Sequence, residues 1–285
     1  MKLLKEHQQT GQGLLAILTA IISINVGAAF AKNLFPVVGA AGMTSLRIGF
    51  AALILMLICR PWRQNTKPQQ LKTIILYGMI LGLMNLLIYQ AFARIPIGIA
   101  IAIEILGPLG VVLASARRVI DFVWFVLALV GLGLFIPLET SEASLDPIGI
   151  LFAIGAAISW ASYILVGKKL STGSTLNTVA LGMCVAACIA APFGILEAGT
   201  TLLSPSILFA GLMVALFSSA LPYPLEMMAL KRLPTQLFSM IASASPIIAA
   251  LCGWIILNEQ LLLHQWIAIL LIVTAIAGST FKKAS

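Results

Sequence analysis

Residues 94–108 read RIPIGIAIAIEILGP, and residues 232–246 read RLPTQLFSMIASASP. One arginine and two prolines keep the same spacing in both, so Arg94, Pro96 and Pro108 recur as Arg232, Pro234 and Pro246 at a displacement of 138. The register continues outward, because Asp121 meets Glu259 at that displacement. Upstream, Ile22-Ser23 through Lys32 and Leu34 matches Ile158-Ser159 through Lys168 and Leu170, displaced by 136. The chain therefore reads as one unit written twice, and its surroundings say what that unit is.

Of 285 residues, 61% are hydrophobic and 9% charged. Soluble domains carry about 25% charged residues, so this chain cannot cover a water-facing surface. A helix that crosses a bilayer needs roughly 20 mostly apolar residues. Ten runs meet that need: 12–32, 39–59, 72–92, 97–116, 119–137, 148–167, 177–196, 206–230, 235–257 and 263–281. Lipid offers the backbone no hydrogen-bond partners, so these runs are helices. Pro61, Pro68, Pro96, Pro147, Pro205 and Pro234 fall at their ends or first turns, where proline is tolerated. The remainder suffices only for short loops, which leaves no folded domain outside the membrane.

The net charge of +8 would suit nucleic acid if it were spread over a surface. Instead, fourteen of the seventeen Lys and Arg residues form six clusters at alternate gaps between the apolar runs. Glu139, Glu142, Asp146, Glu197 and Glu259 fall in the opposite gaps. That is the positive-inside pattern, with both termini cytoplasmic. Each copy holds five spans, so the second enters the membrane from the opposite side. The expected fold is an all-α membrane protein of ten transmembrane helices in two inverted five-helix repeats, 1–140 and 141–285. Such repeats typify secondary transporters, whose substrate sites lie near mid-membrane between the repeats. The first span, with Lys2, Lys5 and Ala29-Phe30-Ala31, also resembles a signal peptide. Its match to the interior segment 158–170 favours a retained span.

No enzyme signature is present. His7 and His264 lie outside the apolar cores, and no metal-protease, phosphate-loop or dinucleotide pattern occurs. Cys59, Cys184, Cys188 and Cys252 lack metal-ligand spacing and read as packing residues. No cofactor or metal is expected. Gly78 and Gly82, like Ala249 and Gly253, have the spacing that lets helices approach closely, within a monomer or across a homodimer.

Ionisable residues inside spans are costly and mark function. Arg47 and Glu104 sit at equal depth, roughly 10–12 Å below the outer boundary at 1.5 Å per residue. They form either a structural pair or two poles of a site. Glu226 stands five residues from Lys231 and reads as paired to Lys231 or Arg232 near the interface, although Pro222-Tyr223-Pro224 beside it break the helix as cavity-lining helices are broken. The other in-span polar residues are Asn25, Asn85, Tyr89, Trp160, Tyr163, Tyr223, Ser239, Ser243 and Ser245. Asn85 and Tyr89 share one helix face by spacing, as do Trp160 and Tyr163. Helix breaks expected to line a cavity fall at Gly107-Pro108, Pro222 and Pro246.

Four segments carry a family resemblance. They are Ala31-Lys32-Asn33-Leu34-Phe35-Pro36 with Arg47, Ile103-Glu104-Ile105-Leu106-Gly107-Pro108, Arg117-Arg118-Val119-Ile120-Asp121-Phe122-Val123-Trp124, and Ala220-Leu221-Pro222-Tyr223-Pro224-Leu225-Glu226-Met227. Together they resemble the EamA branch of the drug/metabolite transporter superfamily, most closely its threonine/homoserine-exporting members in bacterial inner membranes. The resemblance covers essentially the whole chain. It implies ten helices in two inverted repeats, efflux from the cytoplasm and a central cavity between the repeats. The chain departs from the subgroup at Ser245, where a Glu often precedes the proline, and at Leu257-Asn258-Glu259, where Leu-Gly-Glu is usual.

A zwitterionic amino acid needs one group for each charge. Glu104 suits the ammonium, and Arg47 or freed helix amides suit the carboxylate. Asn85, Tyr89, Trp160, Tyr163 and Tyr223 would add hydrogen bonds and a wall, while Asn25 and Ser245 complete the candidate set. A carboxylate in such a site can also carry a proton, so proton coupling is an expectation beside substrate binding. Export of aromatic metabolites or hydrophobic drugs is the second reading, and a scaffold without substrate the third. A scaffold predicts that in-span polar residues pair off and leave no void.

Overall fold

The computed structural model describes residues 2–32, 34–63, 68–95, 97–116, 118–135, 146–171, 175–245, 247–248 and 263–281. Among these residues every regular element is helical. In order they are α1 (Lys2–Lys32), α2 (Phe35–Cys59), α3 (Pro68–Phe92), α4 (Ile97–Glu104), α5 (Leu106–Ala114), α6 (Val119–Phe135), α7 (Pro147–Leu170), α8 (Thr175–Ala198), α9 (Pro205–Ala215), α10 (Pro222–Arg232), α11 (Thr235–Ala242) and α12 (Leu263–Phe281). Six segments are long and apolar enough to cross a membrane: Gln8–Ala28, Phe35–Arg63, Gln70–Phe92, Pro147–Leu170, Thr175–Leu203 and Pro205–Arg232. Ile99–Ala114, Val119–Leu134 and Trp266–Ala275 are shorter apolar helices. Large apolar side chains such as Leu57, Ile158, Leu196 and Phe209 are exposed around the molecule. In water such a surface would aggregate; in a bilayer it is the lipid face.

Helix ends follow from local chemistry. Asp146 caps α7 by accepting from the Ile148 N–H at 2.9 Å, and Pro147 fills the first turn, where its missing N–H costs nothing. That backbone N–H, and Arg94 at 3.2 Å, hold the Asp146 carboxyl below the usual carboxylate range. At the far end of α7, Lys168 Nζ donates to the Leu230 and Leu233 carbonyls at 2.5 and 2.6 Å, satisfying the last turn of α10. Within α2 the regular helix starts only after Gly39, whose φ of +71° breaks the ladder. Glu197 reaches over from the end of α8 to accept from the Ala41 and Gly42 N–H groups at 2.5 and 3.0 Å. A Cβ at position 39 would lie 2.3 Å from the Glu197 carboxyl carbon, so this site excludes side chains by both space and backbone angle.

Two predicted single spans are interrupted. The span read as 97–116 is two helices, α4 and α5, meeting at Ile105. Pro108 has no N–H for the Glu104 carbonyl four residues back, so the ladder loosens beside the carboxylate. The span read as 206–230 is α9, a π turn over Leu216–Ala220, and α10. The second half of the span read as 235–257 lies outside the described residues. Helices α4 and α11 are each eight residues long, and their ends are displaced by 138, like the arginine and proline markers.

The helices pack in matched pairs. Helix α1 lies on α10 as α3 lies on α7, while α2 packs on α8, α5 on α11 and α6 on α12. Gly78 and Gly82 face Gly182 and Ala186 of α8, so that small-residue stripe is spent inside the chain. Tyr77, Tyr163, Phe238 and Met183 are among the fully buried side chains of the main core. This core closes one side of a polar cavity.

Candidate functional site

A cavity of about 100 Å³ lies between α1, α2, α3, α4, α7 and α10. Ile21, Ile24, Met84, Ile88 and Phe92 supply apolar wall, and the polar lining is Asn25, Arg47, Asn85, Tyr89, Glu104, Trp160, Tyr223, Glu226 and Ser245. Eight of the sequence candidates thus meet at one void, drawn from both halves of the chain.

The arginine is the best-held group in the site. Its side chain is buried, and Nη1 donates to the Ser218 carbonyl at 3.3 Å. Nη2 donates to Asn85 Oδ1, and the guanidinium lies over the Tyr89 ring with its carbon 4.5 Å from the centroid. Each partner is itself positioned by sequence. Pro222 has no N–H, so the Ser218 carbonyl four residues before it is released from the helix ladder and turns to Arg47. The π turn releases the Phe217 carbonyl in the same way, and Ser23 of α1 donates to it. Asn85 Nδ2 donates to the Leu81 carbonyl at 2.7 Å, which points Oδ1 toward Arg47 and the Tyr223 hydroxyl at 3.0 Å. Tyr89 packs on Phe35 and Phe92, with ring centroids 5.2 and 5.7 Å away.

Arg47 and Glu104 share the cavity but form no ion pair. Asn85, Ser218 and Tyr89 hold Nη2, Nη1 and the face of the guanidinium, which speaks against the structural-pair alternative. Glu104 ends α4 at the α4–α5 break and lines the void. On the same wall system, Asn25 Nδ2 donates to the Ile21 carbonyl at 2.8 Å and to Ser245 Oγ at 3.2 Å, linking α1 to the segment after α11.

Several expectations need correcting. Glu226 was read as an interfacial partner of Lys231 or Arg232. It is instead buried, lines the cavity and accepts from the Tyr163 hydroxyl at 2.8 Å. Five residues along a helix amount to about 140° of rotation, so exposed Lys231 lies round the far side. The signal that could have found Glu226 is its spacing from Tyr223, three residues apart on one face. Tyr163 does not touch the void; it stands behind Glu226, stacked on Tyr77 at 5.2 Å and edge-on to Tyr223 at 6.1 Å. Gly107, Pro108 and Pro222 do not line this cavity either. Gly107 is a close contact, where a Cβ would lie 2.1 Å from the Ala157 carbonyl oxygen. Pro108 and Pro222 act through the carbonyls they release. Ser239 and Ser243 are buried; Ser243 Oγ donates to the Ser239 carbonyl at 2.8 Å, and the Ser239 hydroxyl has no hydrogen-bond partner. Pro246 lies outside the described residues.

The chain is 45% identical over 267 residues to the threonine/homoserine exporter RhtA of Salmonella typhimurium (strain SL1344), covering 94% of this chain and 90% of that one. Against RhtA of Escherichia coli (strain K12) the identity is also 45%, over 264 residues, covering 93% and 90%. A protein of known crystal structure superposes with a TM-score of 0.79 at 19% identity, covering 95% of this chain and 97% of that one, which speaks for the fold alone. Residues 147–281 match the EamA-like transporter family. An identity of that size along nearly the whole of both chains settles kinship, and this chain belongs to the EamA-like transporter family.

Proposed function

We propose that the chain is a secondary transporter exporting small amino acids of the threonine/homoserine kind, or related metabolites, from the cytoplasm by alternating access. The observation that carries this reading is the convergence of in-span polar residues from both halves on one void holding Arg47, Glu104 and Glu226. A scaffold would pair such groups off. One cation opposite carboxylates suits a zwitterion, whose ammonium meets Glu104 and whose carboxylate meets the arginine side. The names of the RhtA relatives point to the same substrates. No catalytic step is part of this reading.

The finer architecture belongs to the proposal too. Ten spans form two inverted repeats, 1–140 and 141–285, with the cavity at their junction. Support comes from the shared displacement of 138 between α4 and α11 and from the reciprocal packing of α1 on α10 and α3 on α7. Both termini face the cytoplasm of a bacterial inner membrane. Reporter tags after Lys169 and at Ser285 should then be cytoplasmic, and one near Ser144 external. A cytoplasmic Ser144 tag would overturn the topology and the inverted repeat together. The lining carries two carboxylates and one arginine, so a proton on one carboxylate balances the site and serves as coupling ion. The working unit is a monomer or a homodimer.

Overexpression is expected to protect cells from toxic external threonine or homoserine by lowering their intracellular pools. Unchanged pools in cells that carry the protein in their membrane would count against the reading. Tyr89, Phe92, Trp160 and Tyr223 also give the wall an aromatic character. Export of an aromatic compound in place of threonine would move the assignment to aromatic metabolites or hydrophobic drugs.

A further inference from the structure

We propose that Arg47 Nε–H and the Tyr89 hydroxyl together form the subsite for the substrate's carboxylate, so that the cavity selects free amino acids over their amides. Both side chains are 3% exposed and both line the cavity. Neither Arg47 Nε nor Tyr89 Oη has a hydrogen-bond partner in the protein. Buried donors are rarely left so, and two on residues that line one void are a feature that needs an acceptor.

The surroundings say which acceptor. Ser218 and Asn85 hold Nη1 and Nη2, and the Tyr89 ring lies beneath the guanidinium, so its orientation is fixed and the Nε edge remains unused. Asn85 has spent its oxygen on Arg47 and Tyr223 and its nitrogen on Leu81. Asn85 and Tyr223 are therefore positioning residues, which aim the arginine rather than grip the ligand. Glu104, on the same void, bonds to neither orphan donor. What fits two such donors on one stacked arginine–tyrosine pair, one of them cationic, is an acceptor-only group with two oxygens. An ammonium cannot accept, and an amide presents one oxygen and no charge.

This inference rests on the transport reading and assigns its polarity: carboxylate to Arg47 and Tyr89, ammonium toward Glu104. The test compares wild-type protein and Tyr89→Phe in proteoliposomes, with labelled threonine as substrate and unlabelled threoninamide as competitor. Phenylalanine keeps the ring under Arg47 and against Phe35 and Phe92, so the thermal midpoint should be retained. The KM for threonine should rise about tenfold to a hundredfold, the loss expected for one hydrogen bond to a charged group. The kcat should stay within a few-fold, and the preference for threonine over threoninamide should largely vanish. Unchanged KM and unchanged preference would hand both donors to water and overturn the subsite. Should Tyr89→Phe fail to fold, the wild-type competition decides alone, because threoninamide inhibiting as well as threonine overturns the proposal. A wild-type protein that moves no threonine removes the transport reading and the subsite with it.

Discussion

Replacing Arg47 with methionine is expected to abolish transport and to lower the thermal stability of the purified protein. Methionine fills much of the same volume, so the loss is one of bonding rather than of packing. The Ser218 carbonyl, already released from its helix by Pro222, loses its donor, and Asn85 Oδ1 keeps only Tyr223. A buried acceptor stripped of its donor costs about 1–3 kcal/mol. The void is then left with two carboxylates and no cation, which adds to the penalty. Arg47→Lys separates the contributions. It keeps the charge but cannot span Ser218 and Asn85 while stacking on Tyr89, because an ammonium is a point charge without the planar fork. Arg47→Lys should therefore fold better than Arg47→Met yet transport poorly. Differential scanning and proteoliposome flux on the same preparations give both readouts. Wild-type flux from Arg47→Met would remove the arginine from the mechanism.

Glu104→Gln is expected to behave in the opposite way, folding normally and failing to transport. Were Glu104 the counter-ion of Arg47, glutamine would strand a buried charge at about 3–5 kcal/mol. The arginine is held by other groups, so the change should cost less than about 1 kcal/mol, as for a residue outside any bonded network. Transport should fall at least about a hundredfold, since an ammonium in a dry site needs an ionic partner. The double variant Arg47→Met, Glu104→Met should stay inactive, whereas a structural pair predicts its recovery. A stable Glu104→Gln protein with wild-type flux at every pH would exclude Glu104 from substrate and proton handling alike.

The residues whose place at the void is legible in the sequence share one property. Asn25, Arg47, Asn85, Tyr89, Glu104, Trp160, Tyr223 and Ser245 each put a polar group deep in an apolar run. Lipid leaves such a group only a cavity or a partner. Spacing along the chain does not tell those two fates apart. Asn85 lines the void yet spends its amide on neighbours, and Tyr163 shares a helix face with Trp160 yet stops one layer short of the void. The short distance of Glu226 from Lys231 along the chain suggests an interfacial pair, whereas its rotation about the helix axis turns it to the void. Pro108 and Pro222 do fall at interruptions, but their consequence is indirect. A missing N–H at Pro222 is felt at Ser218, and through it at Arg47 on another helix.

The π turn at Leu216–Ala220 has a further consequence for how this helix tolerates changes in length. A π turn holds about one residue more than the α-helical turn it replaces. Deleting one residue from most of α9 or α10 would rotate everything beyond it by about 100° and swing Glu226 out of the void. Deleting Ser219 would instead absorb the surplus residue and join α9 to α10 as a continuous helix, with both flanks still facing their present neighbours. The Ser218 carbonyl would then come into register with the Tyr223 N–H and be drawn back into the ladder, away from Arg47. The molecule thus carries a built-in site for a silent deletion in shape that is a deep lesion in chemistry.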